Sequence, residues 1–463
     1  MIHETRSLNG RDLLEVPGPC GLPIVGVLPQ MWLDIPGFLS SAARRYGDIV
    51  RFKLGPQETY LVSRPADIKH IYQQEKNGVY EKSLFYQQMK PVFGDGIFNS
   101  NGEAWHRQHR LLRPFFTKSY IAKWHKVIAS AAAVMLDDWQ EKAQNNQPVD
   151  LAVEMKRLVE SIMARILFTT RIPEQDAEEA IGAIGTLSGQ LMGRILRDFI
   201  FRGVLNDLPS PANRRFQKAV QTIDRTLARF TPQSSVRNAA IEPLISSLRR
   251  ARDEETRWQM NAAELRDQVV TIYFAGQDTT ANGLAWTFHH LSQNPNVAAR
   301  IQAEVDKVFS GNLPTSDELS RLTYTGWVIN ESLRLSPPAY AVGRNTICGD
   351  LIRNYRVPSN SLVTSSQYVT HRHPAYWESP DKFDPERFSQ ERSRGRPRYA
   401  FFPFGGGQRT CLGMHLAMME MTTITAMVMK AFTLQADPRH RVSHKASLTL
   451  RPRHEIKVFL HAR

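Results

Sequence analysis

The chain has 463 residues, 42% hydrophobic and 22% charged, with 59 Lys and Arg against 45 Asp and Glu and a formal net charge of +14. That length and apolar content can bury a large core, and three cysteines, Cys20, Cys348 and Cys411, exclude a disulfide framework and suit a reducing compartment. The positive balance attracts nucleic acid, anionic lipid or acidic proteins, but no nucleic-acid motif accompanies it.

No Gly/Ser-rich linker, internal repeat or low-complexity tract divides the chain, and the basic stretch Arg392–Arg398 is too short to do so. We expect a tail over residues 1–16 and one large unit over 17–463. The tail carries Glu4, Arg6, Arg11, Asp12 and Glu15, and it lacks the run of about 20 apolar residues that spans a bilayer and the apolar core of a secretory signal. Pro17-Gly18-Pro19 then opens a turn-rich segment. Residues Asp48–Leu54 and Thr59–Val62 flank Gly55-Pro56 and read as a hairpin. Trp105–Phe116 reads as a basic helix. From Leu151 to Ile301 the pattern is mainly helical, with breaks at Pro209-Ser210-Pro211 and around Thr231–Ser235. Asn345–Thr370 has short strand-like runs, Cys411–Phe432 reads as a helix rich in Met and Ala, and Ala446–Leu460 reads as strands. The fold class is mainly α with a small β region.

Within the helical stretch, Asn261-Ala262-Ala263-Glu264 has the form of a capping box, with Asn in the Ser/Thr place. The apolar run to Ser292 covers about 45 Å at 1.5 Å per residue. Its middle reads Ala275-Gly276-Gln277-Asp278-Thr279-Thr280. Glycine costs roughly 0.5–1 kcal/mol against alanine there, and Asp and Thr compete for backbone hydrogen bonds. A local rule broken inside a well-formed helix points to function: a kinked helix over a flat cofactor, with Ala275 and Gly276 making room for a diatomic ligand, Thr279 holding a water and Asp278 feeding protons.

The run Phe404-Gly405-Gly406-Gly407-Gln408-Arg409-Thr410-Cys411-Leu412-Gly413 places a lone cysteine among glycines just ahead of an apolar helix. Glycines let backbone N–H groups turn toward the sulfur. A position at a helix N-terminus favours an anion and lowers a thiol pKa. This suits a thiolate that grips one metal from one side, with Phe404 as a shield. The spacing F-x-x-G-x-R-x-C-x-G resembles the heme-ligand signature of the cytochrome P450 family, the heme-thiolate monooxygenases. Small-Gly-x-acid-Thr-Thr resembles that family's oxygen-binding motif, Glu331-x-x-Arg334 its E-x-x-R element and Pro385-Glu386-Arg387-Phe388 its P-E-R-F element.

The resemblance implies the cytochrome P450 fold, heme b held noncovalently with Cys411 as the iron ligand, and Asp278 and Thr279 as the catalytic proton relay. It implies heme contacts at Trp105, His109, Ala275, Gly276, Arg344, Phe404, Gly405, Arg409 and Gly413. His109 stands where the family's W-x-x-x-R element has arginine, with Arg110 next to it as a substitute. It also implies a buried charged network of Glu331, Arg334 and Arg387 beneath the ligand loop, whose planar guanidinium forks suit burial when fully hydrogen bonded. By analogy Phe85, Ile272, Phe274, Ala341, Val342 and Leu448 line a substrate pocket that the region near Leu187–Leu205 covers. Arg107, Arg110 and Arg113 form a basic stripe of the kind used to dock redox partners.

The implied reaction inserts one oxygen atom from O2 into an apolar small molecule of fatty-acid, terpenoid, steroid or polyketide type. No flavin or iron–sulfur region is present, so electrons come from a ferredoxin or flavodoxin with its NAD(P)H reductase. The expected protein is a soluble, cytoplasmic, bacterial-type monomer with no transmembrane anchor. A peroxide-using or hydroperoxide-rearranging heme-thiolate enzyme and a heme sensor without turnover remain as alternatives.

Overall fold

The structure, a computed structural model, describes residues 14–168, 174–201, 208–230, 242–311 and 313–463. Helix Ala262–Gln293 is the central element. Its N-terminus is closed by a true capping box: Asn261 Oδ1 accepts from the Glu264 N–H, and the Glu264 carboxylate accepts from the Asn261 N–H. Thirty-two residues in one helix span about 48 Å. Apolar side chains on most of its circumference let it pass through the interior, where it packs on helices Leu151–Phe168, Thr323–Leu335 and Met414–Ala431. Ala275–Thr280 sit inside it without a break in the helical assignment.

The β part is small and peripheral. A five-stranded sheet runs in the order Ile49–Leu54, Gln57–Val62, Leu362–Ser365, Val342–Thr346, Tyr80–Lys82. The first two strands form the expected hairpin, whose turn needs Gly55 at φ 59°. The second pairs parallel with Leu362–Ser365, and the other contacts are antiparallel. At the far edge the register sets Lys82 opposite Arg344, a pairing with consequences for the site. A three-stranded sheet joins Val149–Asp150, Lys457–Ala462 and Phe432–Ala436, and two-stranded ribbons pair Asp350–Ile352 with Tyr355–Val357 and His444–Ala446 with Leu450–Pro452. The main apolar core lies among the helices, and two smaller clusters lie on either side of the five-stranded sheet.

Three local expectations change. The helix after the cysteine begins at Met414 with Gly413 as its N-cap, so Cys411 lies in the loop before it. Gln367–Thr370 is a helical turn, closed by Ser366, rather than a strand. Trp105–Phe116 splits into helix Gly102–Leu112 and a 3-10 turn at Arg113–Phe116, because Pro114 cannot continue the α-helical ladder. The break before Pro211 is present, since helix Pro211–Phe230 starts there. The break near Thr231–Ser235 and residues 202–205 of the covering region lie outside the described residues.

Candidate active site

The cysteine loop folds back on itself. The Cys411 N–H donates to the Phe404 carbonyl at 3.0 Å, and the Gly405 N–H donates to the Phe402 carbonyl at 2.9 Å. Gly405 and Gly407 adopt φ of 72° and 68°, a region that disfavours any side chain. A Cβ on Gly406 would lie 2.4 Å from Tyr399 Cε1 and 2.9 Å from Tyr72 ring atoms. The backbone N–H groups of Gly413 and Met414 point at the Cys411 sulfur and favour the thiolate. Burial among protein groups outweighs them and pushes the thiol up. The side chain nevertheless opens to an exposed face, so the sulfur is sheltered by its own loop and accessible from one side.

On helix Ala262–Gln293, Ala275 is exposed although Phe274, Gln277 and Asp278 beside it are buried; Thr279, one turn on, is half-buried. Gly276 has a different role from the one its small size suggested. A Cβ there would lie 2.7 Å from Met163 Cε and 2.8 Å from its Sδ, so the glycine serves the close packing of helix Leu151–Phe168. The Thr279 hydroxyl donates to the Ala275 carbonyl at 2.6 Å. Asp278 is buried and accepts from Thr449 Oγ1 at 2.5 Å. Glu420, on helix Met414–Ala431, is pushed up to about 8 by burial and bonds to the Thr280 side chain.

A buried cluster of charge surrounds the other side of the loop. Arg344 Nε donates to Glu75 Oε1 at 2.8 Å, and Arg409 Nε lies 3.0 Å from the same oxygen. The Arg409 Nε contact has no hydrogen-bond alignment, leaving that buried donor unsatisfied, while Nη1 and Nη2 donate to the Ser100 carbonyl and Asn101 Oδ1, each at 3.0 Å. The Arg409 guanidinium lies 4.3 Å from the Trp105 ring, which stacks on His109 with centroids 4.8 Å apart. Burial lowers Arg409 to about 10 and also lowers His109. Lys82 joins the cluster, its ammonium bonded to the Phe98 carbonyl. Burial, with the charges of Arg409 and Arg344, pushes it well below its usual value. Two buried guanidinium groups and a buried lysine thus face one buried acid. Lys82 and Glu75 escaped the sequence reading, because an isolated Lys on a strand and an isolated Glu at a helix end carry no signal. Only the strand register opposite Arg344 could have flagged Lys82. Arg110 takes no part here. It donates to Asp253 at 3.0 Å, and Arg107 lies over the Trp258 ring and 3.6 Å from Glu264, so two of the three stripe arginines already hold partners.

Beneath the loop, Arg334 and Glu331 form a two-bonded pair at 2.7 and 2.8 Å, both fully buried. Arg334 also donates to the carbonyls of His371, Pro380 and Lys382. Arg387 Nε lies 3.4 Å from Glu331, and the Asp384 N–H donates to Glu331 at 2.8 Å. His371 passes the connection upward: its Nε2 accepts from the Phe402 N–H at 2.9 Å. Burial and the Arg334 and Arg372 charges hold His371 neutral, as an acceptor requires.

Of the proposed pocket residues, Phe85, Ile272 and Leu448 are partly buried at the margin of the main core, and Ala341 and Val342 are half-buried near the five-stranded sheet. Phe274 is buried, edge-on to Phe93 with ring centroids 5.0 Å apart; it contributes core packing.

An accessible thiol on a glycine loop, an unsatisfied buried guanidinium donor and a surplus of buried cations fit a flat metal-bearing cofactor with acidic substituents. The sequence matches the Cytochrome P450 family over residues 16–459, and the chain belongs to that family. It is 30% identical to cyclooctat-9-en-7-ol 5-monooxygenase of Streptomyces melanosporofaciens, over 91% of this chain and 89% of that one. It is 32% identical to cyclooctatin synthase of the same organism, over 93% and 92%, and 27% identical to pentalenene oxygenase of Streptomyces avermitilis, over 96% and 97%. The crystal structure of the cytochrome P450DA heme domain superposes with a TM-score of 0.87 over 98% of this chain and 99% of that one, at 23% identity. As a family member the chain is a heme-thiolate monooxygenase acting on an apolar small molecule, an oxidoreductase that takes a heme iron, O2 and electrons from a redox partner. No described helix is long and apolar enough to cross a membrane.

Proposed function

We propose that the chain hydroxylates a terpenoid, with heme b held noncovalently in one heme domain over residues 17–463. The observation that carries the heme assignment is the accessible Cys411 thiol beside the buried Arg344–Arg409–Lys82 cluster. The relatives named for cyclooctatenol and pentalenene oxidation support the substrate class. We read the openings at Cys411 and at Ala275 as two walls of one cleft. Heme iron, when bound there, supplies the site at which O2 is reduced and its O–O bond broken.

The residues of the chain do the rest. Cys411 donates a thiolate, kept in place by the Gly413 and Met414 N–H groups. Arg344, Arg409 and Lys82 neutralise two propionates, and Trp105 stacks under Arg409; the resulting anion–cation bonds are charge-assisted. His109, held below its usual value, serves as a neutral packing group or donor rather than as a cation. Glu331, Arg334 and Arg387 fix the loop through His371 and Phe402. Phe85, Ile272, Ala341, Val342 and Leu448 orient the apolar substrate and exclude water. Thr279 and Asp278 move protons toward oxygen. A ferredoxin or flavodoxin with its NAD(P)H reductase delivers electrons to a monomeric enzyme, and three cysteines without a disulfide support a cytoplasmic setting.

The test is a spectral titration of the ferric protein with cyclic terpenes, followed by turnover with a reconstituted ferredoxin system. A spin-state shift with terpenes and a product gaining one oxygen atom are expected. Tight shifts with fatty acids alone would replace the terpenoid assignment, and product formed from peroxide but not from O2 would favour the peroxide-using alternative.

A further inference from the structure

The turn between strands His444–Ala446 and Leu450–Pro452 is bonded from three directions. Residues 278, 282 and 286 follow one another at four-residue steps along one face of the long helix, and all three reach it. Thr449 Oγ1 donates to Asp278 Oδ2 at 2.5 Å, Asn282 Nδ2 donates to Thr449 Oγ1 at 3.3 Å, and Trp286 Nε1 donates to the Leu450 carbonyl at 3.3 Å. From the segment after helix Thr323–Leu335, the Pro338 carbonyl accepts from the Leu450 N–H at 2.9 Å, and the Tyr340 hydroxyl donates to the Ser447 carbonyl at 2.9 Å. From helix Glu174–Phe201, Ser188 Oγ lies 3.4 Å from Ser447 Oγ. Asp278, Asn282, Thr449, Ser447 and Ser188 are all buried, whereas Leu448, between the two bonded residues, is partly open. Thr279, the neighbour of Asp278, is committed to the Ala275 carbonyl. The acid and the alcohol of the proton relay therefore face different partners in this state.

We propose that Thr449 is a positioning residue for the oxygenase reaction: its hydroxyl sets the orientation of the Asp278 carboxylate and ties it to the turn that carries Leu448. The inference rests on the reading of Asp278 as part of the proton relay. With that bond in place the carboxylate is held in one orientation, its Oδ2 on the Thr449 hydroxyl. From that orientation Asp278 accepts a proton supplied by bulk solvent and passes it, by way of a water that ends unchanged, to the Thr279 hydroxyl and on to the oxygen being reduced. Carboxylate and hydroxyl both end as they began.

The test uses the heme-loaded full chain and the variants T449V, T449S, D278N and D278N/T449V. Infrared difference spectra come first and need no substrate. The Asp278 carboxyl band, identified by its loss in D278N, shifts in T449V and returns in T449S. Second is peroxide formed per reductant consumed, with a plant-type ferredoxin and its reductase as donor and pentalenene as the apolar probe. T449V raises it at least threefold, T449S stays within twofold of the parent, and the double variant equals D278N, the non-additivity expected of one shared path. An unmoved band and unchanged peroxide in T449V, with D278N altered, would overturn the role of Thr449 while leaving Asp278 standing. Unchanged peroxide in D278N itself would overturn the reading of Asp278 and with it the positioning role of Thr449, whatever the band shows.

Discussion

Cys411 is held by backbone geometry: a carbonyl from Phe404, N–H groups from Gly413 and Met414, and glycines at positive φ. That is why its motif can be read from sequence, since each glycine answers a local steric demand. Thr279 and Asp278 stand out in the sequence for the opposite reason, as polar residues that sit badly in a helix. Thr279→Ala is expected to leave reductant consumption near the parent rate while cutting product per reductant at least about a hundredfold, the lower end of the range for a lost proton-transfer group; product and peroxide assays check it. Glu160 gives a pH signature unrelated to catalysis. Burial raises it from 4.5 to about 7, and Tyr273 donates to it at 3.2 Å. The folded chain keeps that proton up to about pH 7, whereas the unfolded carboxyl releases it near 4.5. Stability therefore falls as pH rises through this window and stays lower above it. Glu160→Gln should raise urea resistance at pH 8 by up to about 3 kcal/mol and leave it unchanged at pH 4.

Elements bring together what residue patterns leave apart. Glu75 on helix Pro65–Lys76 and Lys82 on the edge strand meet Arg344 and Arg409 only because the sheet register sets Lys82 opposite Arg344. Sequence spacing across 260 or more residues, as in the Glu75–Arg344 bond with its separation of 269, holds no such information. The helix after Cys411 was misplaced by three residues for a local reason: its apolar pattern extends back through Leu412, while Gly413 caps it. Two element-level variants follow. Arg334→Ala strips the buried Glu331 charge of its two-bonded partner, leaving it Arg387 at 3.4 Å and the Asp384 N–H, and should cost about 3–5 kcal/mol, read as a fall in unfolding midpoint together with poor heme retention. Gly406→Ala drives a methyl into the Tyr399 and Tyr72 rings and should cost roughly 1–3 kcal/mol as overpacking, with a faster loss of heme to apomyoglobin.

At the scale of the molecule, the mainly helical fold with peripheral sheets was legible from long apolar periodicity and short turn-bounded strands. The order of strands in the five-stranded sheet was not, because strands more than 280 residues apart pair in it. The net charge of +14 predicts that reduction by an acidic ferredoxin slows as ionic strength rises through 0.05–0.5 M, as screening shortens from roughly 14 to 4 Å. Since Arg107 and Arg110 already hold partners, Arg113→Gln should weaken that reduction more than Arg110→Gln does, a comparison stopped-flow reduction can make. The most direct measurement of all is the spectrum of the reduced carbonyl complex of the purified, heme-loaded chain beside its Cys411→Ser variant. A red-shifted Soret band in the parent that vanishes on replacing this one sulfur is expected. A parent without the band, or a serine variant that keeps it, would contradict thiolate ligation at position 411.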